Sequence, residues 1–285
     1  MQLPYLTPEA IRTFIRTALA EDIGTGDHST LAAVPADALR QARLLIKDSG
    51  ILAGMELAVM IFHEVDASLH VNCLLADGAA VQYGDIGLTV SGKAQSILQA
   101  ERLVLNCMQR MSGIATGTHR LVQMIAHTKA RLLDTRKTTP NFRLPEKWAV
   151  AIGGGTNHRF GLYDMVVLKD NHNDYAGGIT QAITATHKYL KEKGLDLQIV
   201  VETRNLHEIE LLLQTGGITR IMLDNMPPEL MREAIALING RFPTEASGGI
   251  TERTIVAVAE TGVDYISVGA LTHSIKSLDI SLKAF

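Results

Sequence analysis

Basic side chains concentrate in three short segments near the middle of the chain, residues 134–140, 153–159 and 169–172. The side chains concerned are Arg136, Lys137, His158, Arg159, Lys169 and His172. Cations this close together repel one another unless an anion lies among them. A hydrophobic core has no need of so many of them. The segments therefore predict a binding site for a small polyanionic molecule.

The excess of positive charge is local to this region. Residues 131–172 contain seven Lys/Arg and four Asp/Glu, whereas the 285-residue chain has a formal net charge of −3. Proteins that bind nucleic acids or membrane surfaces usually carry a basic face, so the composition argues against both kinds of partner. With 46% hydrophobic and 20% charged residues, the chain is long enough for one large α/β domain and a smaller one.

The two cysteines, Cys73 and Cys107, stand in unrelated contexts and show no metal-ligand spacing. This pattern indicates neither a disulfide framework nor a structural zinc site. We expect both to be small buried side chains in a reducing compartment. The amino-terminal segment lacks the basic start and apolar core of a signal peptide, and the longest apolar run, residues 51–62, is too short to span a bilayer. We therefore expect a cytoplasmic protein.

The first part of the chain reads as a sheet domain followed by a long helix. Residues 40–92 show apolar runs between turn residues, which predicts an antiparallel sheet with an inserted helix near residues 54–66. From Ala94 to about Thr128 apolar residues recur at helical spacing, with an expected break at Ser112 and Gly113. Arg102 lies on the polar side of this helix. A solvated surface is its simpler interpretation, and contact with an anion across a subunit boundary is the alternative.

From residue 131 onward, short apolar strands alternate with helical patterns. After Glu202 the strand ends recur every 22 or 23 residues, which is the repeat of a parallel β/α barrel. In such barrels the carboxyl ends of the strands meet on one rim and carry the chemistry. The residues predicted at that rim are Arg136, Lys137, Lys169, Glu202, Asp224, Ser247 and Gly269.

Glycines follow the last two predicted strands and indicate phosphate binding. The two loops contain Ser247, Gly248 and Gly249, and then Gly269 and Ala270. Loops after late barrel strands commonly hold a phosphate on glycine amides and at a helix N-terminus. Ordinary turn glycines are the simpler alternative, but two such loops at barrel spacing favour the phosphate.

Two carboxylates, Glu202 and Asp224, stand at adjacent strand ends. They could hold ribose hydroxyls or a Mg²⁺ ion that is already bound to substrate phosphates. Simple pairing with neighbouring Lys and Arg side chains is the alternative. Together with the phosphate loops and the cations, they suit a sugar-phosphate donor and an acidic acceptor.

A third glycine-rich segment, residues 153–155, precedes two of the basic side chains. It fits neither the dinucleotide-binding fingerprint nor a P-loop, because the later glycines and the GK[ST] sequence are missing. We interpret it as a turn that brings His158 and Arg159 inward.

Several ordered blocks make the sequence resemble one family nearly from end to end. The blocks are residues 21–27, 100–106, 112–115, 134–138, 146–149, 153–159, 169–172, 223–226 and 246–250. Through them the chain is similar to the quinolinate phosphoribosyltransferase family. The resemblance implies an incomplete β/α barrel of about seven strands over residues 113–272. It also implies an N-terminal α/β sandwich domain over residues 1–112, with a C-terminal helix at residues 273–285 packed against it.

The same resemblance implies a reaction. Quinolinate and phosphoribosyl pyrophosphate, with Mg²⁺, would give nicotinate mononucleotide, pyrophosphate and CO₂ in de novo NAD biosynthesis. A homodimer, or an oligomer built from dimers, would share its active sites between subunits. No protein nucleophile is required.

Residue roles follow from the resemblance as expectations. The residues that would hold the quinolinate carboxylates are Arg136, His158, Arg159 and Lys169, with Arg102 supplied by the partner subunit. Those that would take part in catalysis are Lys137 and Lys169, facing the donor, and Glu202 and Asp224, binding ribose hydroxyls or the metal. Those that would hold the 5′-phosphate are Ser247, Gly248, Gly249, Gly269 and Ala270.

Some residues depart from the family pattern, and other functions stay open. Asn173 stands where an aliphatic residue is usual, and Thr203-Arg204 where Val-Glu is common. One alternative is the related protein encoded with molybdate transporters, which has the same fold. A second is a lyase that uses Lys169 as a Schiff-base amine, and a third is a ligand-binding protein without catalysis.

Overall fold

The structure is a computed structural model that describes residues 3–285, so the first two residues of the predicted domain 1–112 lie outside it. Its contacts divide the chain into two compact units. The first unit comprises the residues up to His119 together with residues 138–154 and 271–285. The second comprises residues 120–137 and 155–270. The predicted boundary between residues 112 and 113 lies within a helix, the fourth along the chain.

The elements follow one another in this order. Up to the long helix they are α1 (Pro8–Ile23), α2 (His28–Ala33), β1 (Leu39–Ile46), β2 (Gly50–Ile51), α3 (Met55–Val65), β3 (His70–Cys73), β4 (Ala80–Val81), β5 (Ile86–Lys93) and α4 (Ala94–Met124). Then come β6 (Arg131–Leu133), α5 (Arg143–Ile152), β7 (Val166–Leu168), α6 (Asp170–Tyr175), α7 (Ile179–Lys193), β8 (Ile199–Thr203) and α8 (Leu206–Thr215). The last are β9 (Arg220–Asp224), α9 (Pro228–Ile238), β10 (Thr244–Ser247), α10 (Ile255–Ala259), β11 (Tyr265–Ser267), α11 (Ala270–His273) and β12 (Ile280–Ala284).

An antiparallel sheet of four strands, in the order β12-β1-β5-β3, organises the first unit. Ala42, Leu44 and Ile46 alternate along β1 as its buried face, because successive side chains of a strand point to opposite sides. Helix α3 buries Ile61 and Phe62 and contacts α1 and β3. The predicted antiparallel sheet and its inserted helix are therefore confirmed.

The end of the chain is a strand, so the helix predicted over residues 273–285 is wrong. Strand β12 pairs antiparallel with β1, with Leu282 opposite Leu44. Its buried Ile280 and Leu282 alternate with the more exposed Ser281 and Lys283. That period of two suits an extended chain with one buried face, not a helix.

Helix α4 runs without interruption from Ala94 to Met124, so the break predicted at Ser112 and Gly113 is wrong. Ser112 Oγ donates to the carbonyl oxygen of Ala53 at 3.1 Å and accepts from its N–H at 2.9 Å. A Cβ atom on Gly113 would lie 2.3 Å from the carbonyl oxygen of Lys276. Both residues are small because backbone segments approach the helix there, not because the helix ends.

The two cysteines differ in their surroundings. Cys107 is buried within α4, and burial raises the pKa of its thiol to about 12, as expected for a small apolar side chain. Cys73 is exposed, so the expectation that both are buried is wrong. It is the last residue of β3, which lies at the edge of its sheet.

A parallel sheet of six strands, in the order β6-β11-β10-β9-β8-β7, forms the centre of the second unit. All six predicted strands are present, and the connecting helices α7, α8, α9 and α10 contact one another in succession. At the free edge of β6, Leu133 forms a parallel bridge with Thr156. The unit is an incomplete β/α barrel, with six strands and a bridge where about seven strands were expected.

Alternate strand residues of this sheet form an apolar layer beneath the carboxyl ends. Val167, Val200 and Met222 are buried together, with Met165 packed against them. Because Val167 pairs with Val200, the residues two positions further along each strand lie on the same face, toward the carboxyl ends. Across the described residues, every helix is too short or too polar to cross a bilayer.

Candidate active site

Lys169 and Glu202 form a charged pair at the carboxyl ends of β7 and β8. They follow Val167 and Val200 by two residues, which places them on the same face of the sheet. Lys169 Nζ donates to Glu202 Oε2 at 2.7 Å. The Lys169 side chain is 52% exposed and that of Glu202 only 5%. A buried carboxylate is thus held by a cation that still faces the solvent.

The backbone of Lys169 is fixed by the first turn of α6. Its N–H donates to His172 Nδ1 at 2.9 Å, so the imidazole acts as an acceptor that caps the helix. His172, which the sequence grouped with the cations, therefore positions the Lys169 backbone.

A second carboxylate, Asp224, is oriented by two donors at the end of β9. It is opposite Ser247 in the β9–β10 register, and Ser247 Oγ donates to Asp224 Oδ1 at 2.7 Å. Asn225 Nδ2 donates to the other oxygen, Oδ2, at 2.6 Å. Asn225 has a φ of +52°, a conformation that asparagine tolerates better than most residues. No pattern in the sequence had pointed to Asn225 as a site residue.

The glycines after β10 have left-handed backbone angles, with φ of +88° at Gly248 and +61° at Gly249. A Cβ atom on Gly248 would lie 2.2 Å from Asn225 Oδ1, whereas one on Gly249 would meet no atom within 4 Å. Gly269 and Ala270 follow β11, which is the neighbour of β10. The two predicted phosphate loops therefore leave the same edge of the sheet side by side.

Replacing Gly248 with alanine is expected to lower kcat/KM for the sugar-phosphate donor at least about tenfold, by weakening the hydrogen bonds that orient Asp224. The new methyl group would displace Asn225, which donates to Asp224. Gly249→Ala is the matched control, since it places the same residue at positive φ in open space. Steady-state kinetics with varied donor would test this. Equal losses in the two variants would show that backbone strain, not the Asn225 contact, matters.

Arg136 and Arg159 supply the local excess of positive charge. Arg136 lies in the loop after β6, and the segment that carries Arg159 follows the bridge at Thr156. Burial lowers the pKa of Arg159, and the positive charge of Arg136 lowers it further. An anion between the two guanidinium groups would relieve both effects. Lys137, the next residue along, is exposed.

Asp134, which the sequence analysis did not assign to the site, anchors the segment with His158. Its carboxylate is fully buried and accepts from the N–H of His158 at 2.8 Å and from Asn157 Nδ2 at 2.7 Å. His158 Nδ1 accepts from the N–H of Arg159 at 2.7 Å. The end of β6 thus fixes the backbone of residues 157–159. Glu245, inside β10, is a further buried acid that the sequence analysis missed.

Arg102 is exposed on α4 within the first unit, and its predicted part in a shared site stays a prediction. The other predicted site residues lie in the second unit. They occupy the ends of the parallel strands, the loops that follow them and the segment after the Thr156 bridge.

The acidic residues suit a metal ion only if it arrives with substrate. Within the described part of the chain, no cluster of three or more His, Cys, Asp or Glu could hold a metal. Glu202 and Asp224 already accept hydrogen bonds from Lys169, Ser247 and Asn225. Mg²⁺ is often bound by one or two carboxylates while substrate phosphates and water complete its coordination. The two acids fit that arrangement and not a metal held by protein alone.

Comparisons with known proteins identify the family to which the chain belongs. Residues 22–112 match the family model "Quinolinate phosphoribosyl transferase, N-terminal domain", and residues 114–283 match its C-terminal counterpart. A chloroplastic nicotinate-nucleotide pyrophosphorylase (carboxylating) of Arabidopsis thaliana is 49% identical over 288 residues, covering 96% of this chain and 82% of that protein. The crystal structure of NadC from Streptococcus pyogenes is 39% identical with a TM-score of 0.91, covering 98% of this chain and 97% of that one. The chain therefore belongs to the quinolinate phosphoribosyltransferase family.

Proposed function

We propose that this chain converts quinolinate and phosphoribosyl pyrophosphate to nicotinate mononucleotide, pyrophosphate and CO₂, in NAD biosynthesis. One observation carries the proposal: a single sheet edge presents a guanidinium pair, two oriented carboxylates and two glycine loops. The Arabidopsis thaliana relative described above carries the name of this activity. Each part of the edge has a matching part in the two substrates.

Quinolinate carries two adjacent carboxylates, which suit the guanidinium groups of Arg136 and Arg159. Arginine binds carboxylates through paired, planar hydrogen bonds, so the pyridine ring is held in one orientation. Lys169 adds a third cation, and His158 lies beside Arg159 in the same segment. Clamping both carboxylates aims the ring nitrogen at C1 of the ribose and removes much of the entropic barrier to attack.

The donor lies along the carboxylates and the glycine loops. Its 5′-phosphate binds the amides of Gly248, Gly249 and Gly269, and the Ser247 hydroxyl turns from Asp224 Oδ1 to the phosphate when the donor binds. The ribose hydroxyls face Glu202 and Asp224. As the C1–oxygen bond to pyrophosphate breaks, positive charge develops at C1. The two carboxylates stabilise that charge, and Lys137 and Lys169 stabilise the negative charge on the leaving pyrophosphate.

Loss of CO₂ follows from the product of the first step. Attack by the ring nitrogen gives a pyridinium ion that carries a carboxylate on the adjacent carbon. When the bond to that carboxylate breaks, the ring accepts the electron pair, and a solvent proton then adds to the carbon. No protein nucleophile takes part, so Lys169 acts as a cation and not as a Schiff-base amine.

Three further features belong to this proposal. Glu202 and Asp224 would hold Mg²⁺ together with the donor's phosphates, where the ion would neutralise charge on the pyrophosphate. The protein would act as a homodimer or a larger oligomer of dimers, with Arg102 contributed across the interface. It would work in the cytoplasm, although some relatives are named as chloroplastic or mitochondrial.

The direct test is to mix purified protein with carboxyl-labelled quinolinate, phosphoribosyl pyrophosphate and Mg²⁺. We expect CO₂ and nicotinate mononucleotide in equal amounts, and no CO₂ when nicotinate replaces quinolinate. Binding of quinolinate without turnover would instead indicate a ligand-binding protein. A substrate adduct on Lys169 trapped by borohydride would indicate a lyase. Either result would refute the proposed reaction.

A further inference from the structure

Glu245 is a fully buried carboxylate inside β10, two residues before Ser247 and on the same face of the sheet. Its burial needs an explanation, because a buried charge is costly unless it is paired and hydrogen-bonded. The roles proposed above for the strand ends do not use it.

Three groups from three different elements converge on this carboxylate. Arg220 Nη1 donates to Glu245 Oε2 at 2.7 Å, and Ser267 Oγ donates to Oε1. His158 Nε2 lies 3.4 Å from Oε2. Arg220 is itself held over the Tyr265 ring, 4.1 Å from the ring centroid.

The hydrogen-bond directions fix the protonation of His158. A backbone N–H can only donate, so His158 Nδ1, which faces the N–H of Arg159 at 2.7 Å, carries no proton. With no proton on Nδ1 the imidazole is neutral and carries its one proton on Nε2, which lies 3.4 Å from Glu245 Oε2. The ring is therefore the neutral Nε2–H tautomer, with both nitrogens directed at protein groups. Its side chain is only 8% exposed.

We infer that Glu245 is a positioning residue that holds His158 as a neutral imidazole and, through the Arg159 N–H, aims the Arg159 guanidinium at the acceptor's carboxylates. The chain of contacts runs from Arg220 through Glu245 and His158 to the Arg159 backbone. His158 then supports the backbone that carries Arg159 and adds no positive charge beside the guanidinium groups of Arg136 and Arg159. The part of this inference that concerns acceptor binding depends on the proposed function.

The first test uses the unmodified protein and needs no activity. In ¹⁵N-histidine NMR at pH 7, the neutral Nε2–H tautomer and the imidazolium ion give different nitrogen shifts. The His158 signals are identified by their loss in His158→Gln. We expect the Nε2–H tautomer in the absence of substrates. An imidazolium or an Nδ1–H tautomer would overturn the inference, whatever reaction the protein catalyses.

The second test is kinetic. Glu245→Gln keeps the shape of the side chain but removes the charge that orients His158, so we expect KM for quinolinate to rise about tenfold or more. KM for phosphoribosyl pyrophosphate should change by less than about twofold, because the groups that contact Glu245 lie outside the two loops proposed to bind that substrate. Glu208→Gln is the matched control, because Glu208 is a buried carboxylate bonded to Arg204 and not to His158.

The outcomes separate the inference from the proposed function. If the wild-type protein does not turn over quinolinate, the proposed function fails, and the NMR result still decides the state of His158. Suppose that the wild type is active and that Glu245→Gln raises both KM values equally, or raises KM for quinolinate no more than Glu208→Gln does. Glu245 then does not act through His158 and Arg159. The double variant Glu245→Gln, His158→Gln should lose no more quinolinate affinity than His158→Gln alone. Both substitutions disrupt the same Glu245–His158 contact, so their effects should not add.

Discussion

Replacing Lys169 with alanine is expected to lower kcat/KM by about a thousandfold, the scale seen when a group that stabilises transition-state charge is removed. Lys169 Nζ donates to the nearly buried Glu202 at 2.7 Å, while about half of the lysine side chain stays exposed. The alanine variant loses the cation that we propose faces pyrophosphate, and it leaves Glu202 without its ammonium partner. Both effects act at ribose C1, so kcat should fall more than the substrate affinities.

Steady-state kinetics on Lys169→Ala, Glu202→Gln and the double variant would measure this effect. Neutralising Glu202 removes the unpaired buried charge, so the double variant should regain folding stability without regaining activity. Lys188→Ala is the control, since Lys188 is an exposed lysine paired only loosely with Glu192 on α7, at 3.9 Å. A Lys169→Ala protein that keeps more than about a tenth of the wild-type kcat/KM would show that the charge contributes little.

The positions of the strand ends could be predicted because buried parallel strands are short and apolar on both faces. In such a run the first polar residue marks the carboxyl end, and this rule located Lys169, Glu202 and Asp224. Their common face follows from parallel pairing, and the structure brings Lys169 and Glu202 into direct contact. Local sequence was sufficient there because strand length and strand direction are local properties.

Other parts of the site depend on contacts that are distant in sequence. Glu245 lies within the four-residue strand β10, and nothing near it in the chain identifies Arg220, Ser267 and His158 as its partners. Asn225 matters because a positive φ turns its amide back onto Asp224. Neither fact has a signal in composition or periodicity.

The same limit explains the errors in the fold. Ser112 and Gly113 were interpreted as a helix break because small residues weaken a helix, yet here they accept the close approach of residues 53 and 276. The C-terminal helix was expected from the family resemblance and not from the local pattern, and the segment instead contains the five-residue strand β12. Pairing with β1, more than 230 residues earlier in the chain, decides its conformation.

Mixing two inactive variants is expected to restore about a quarter of the wild-type activity, if sites are shared across a two-fold dimer. Arg102→Ala and Lys169→Ala should each be nearly inactive as homodimers, since each lacks a cation that binds substrate. In a mixed dimer one site carries both substitutions, and the other is intact. Random exchange makes half of the dimers mixed, and half of their sites then work. Arg102 is exposed on α4, as a residue that serves another subunit must be before assembly.

The control for this experiment is an Arg102→Ala, Lys169→Ala double variant mixed with either single variant. No mixed dimer can then contain an intact site, so activity should stay at the level of the parents. Co-expression with two different affinity tags isolates the mixed dimers, whose activity should approach about half that of the wild type, because one of two symmetric sites is intact. Mixed dimers that are no more active than their parents would place Arg102 in the site of its own subunit or outside the site altogether. In that case the cations that bind quinolinate would all come from one chain, and dimerisation would not be needed to complete the site.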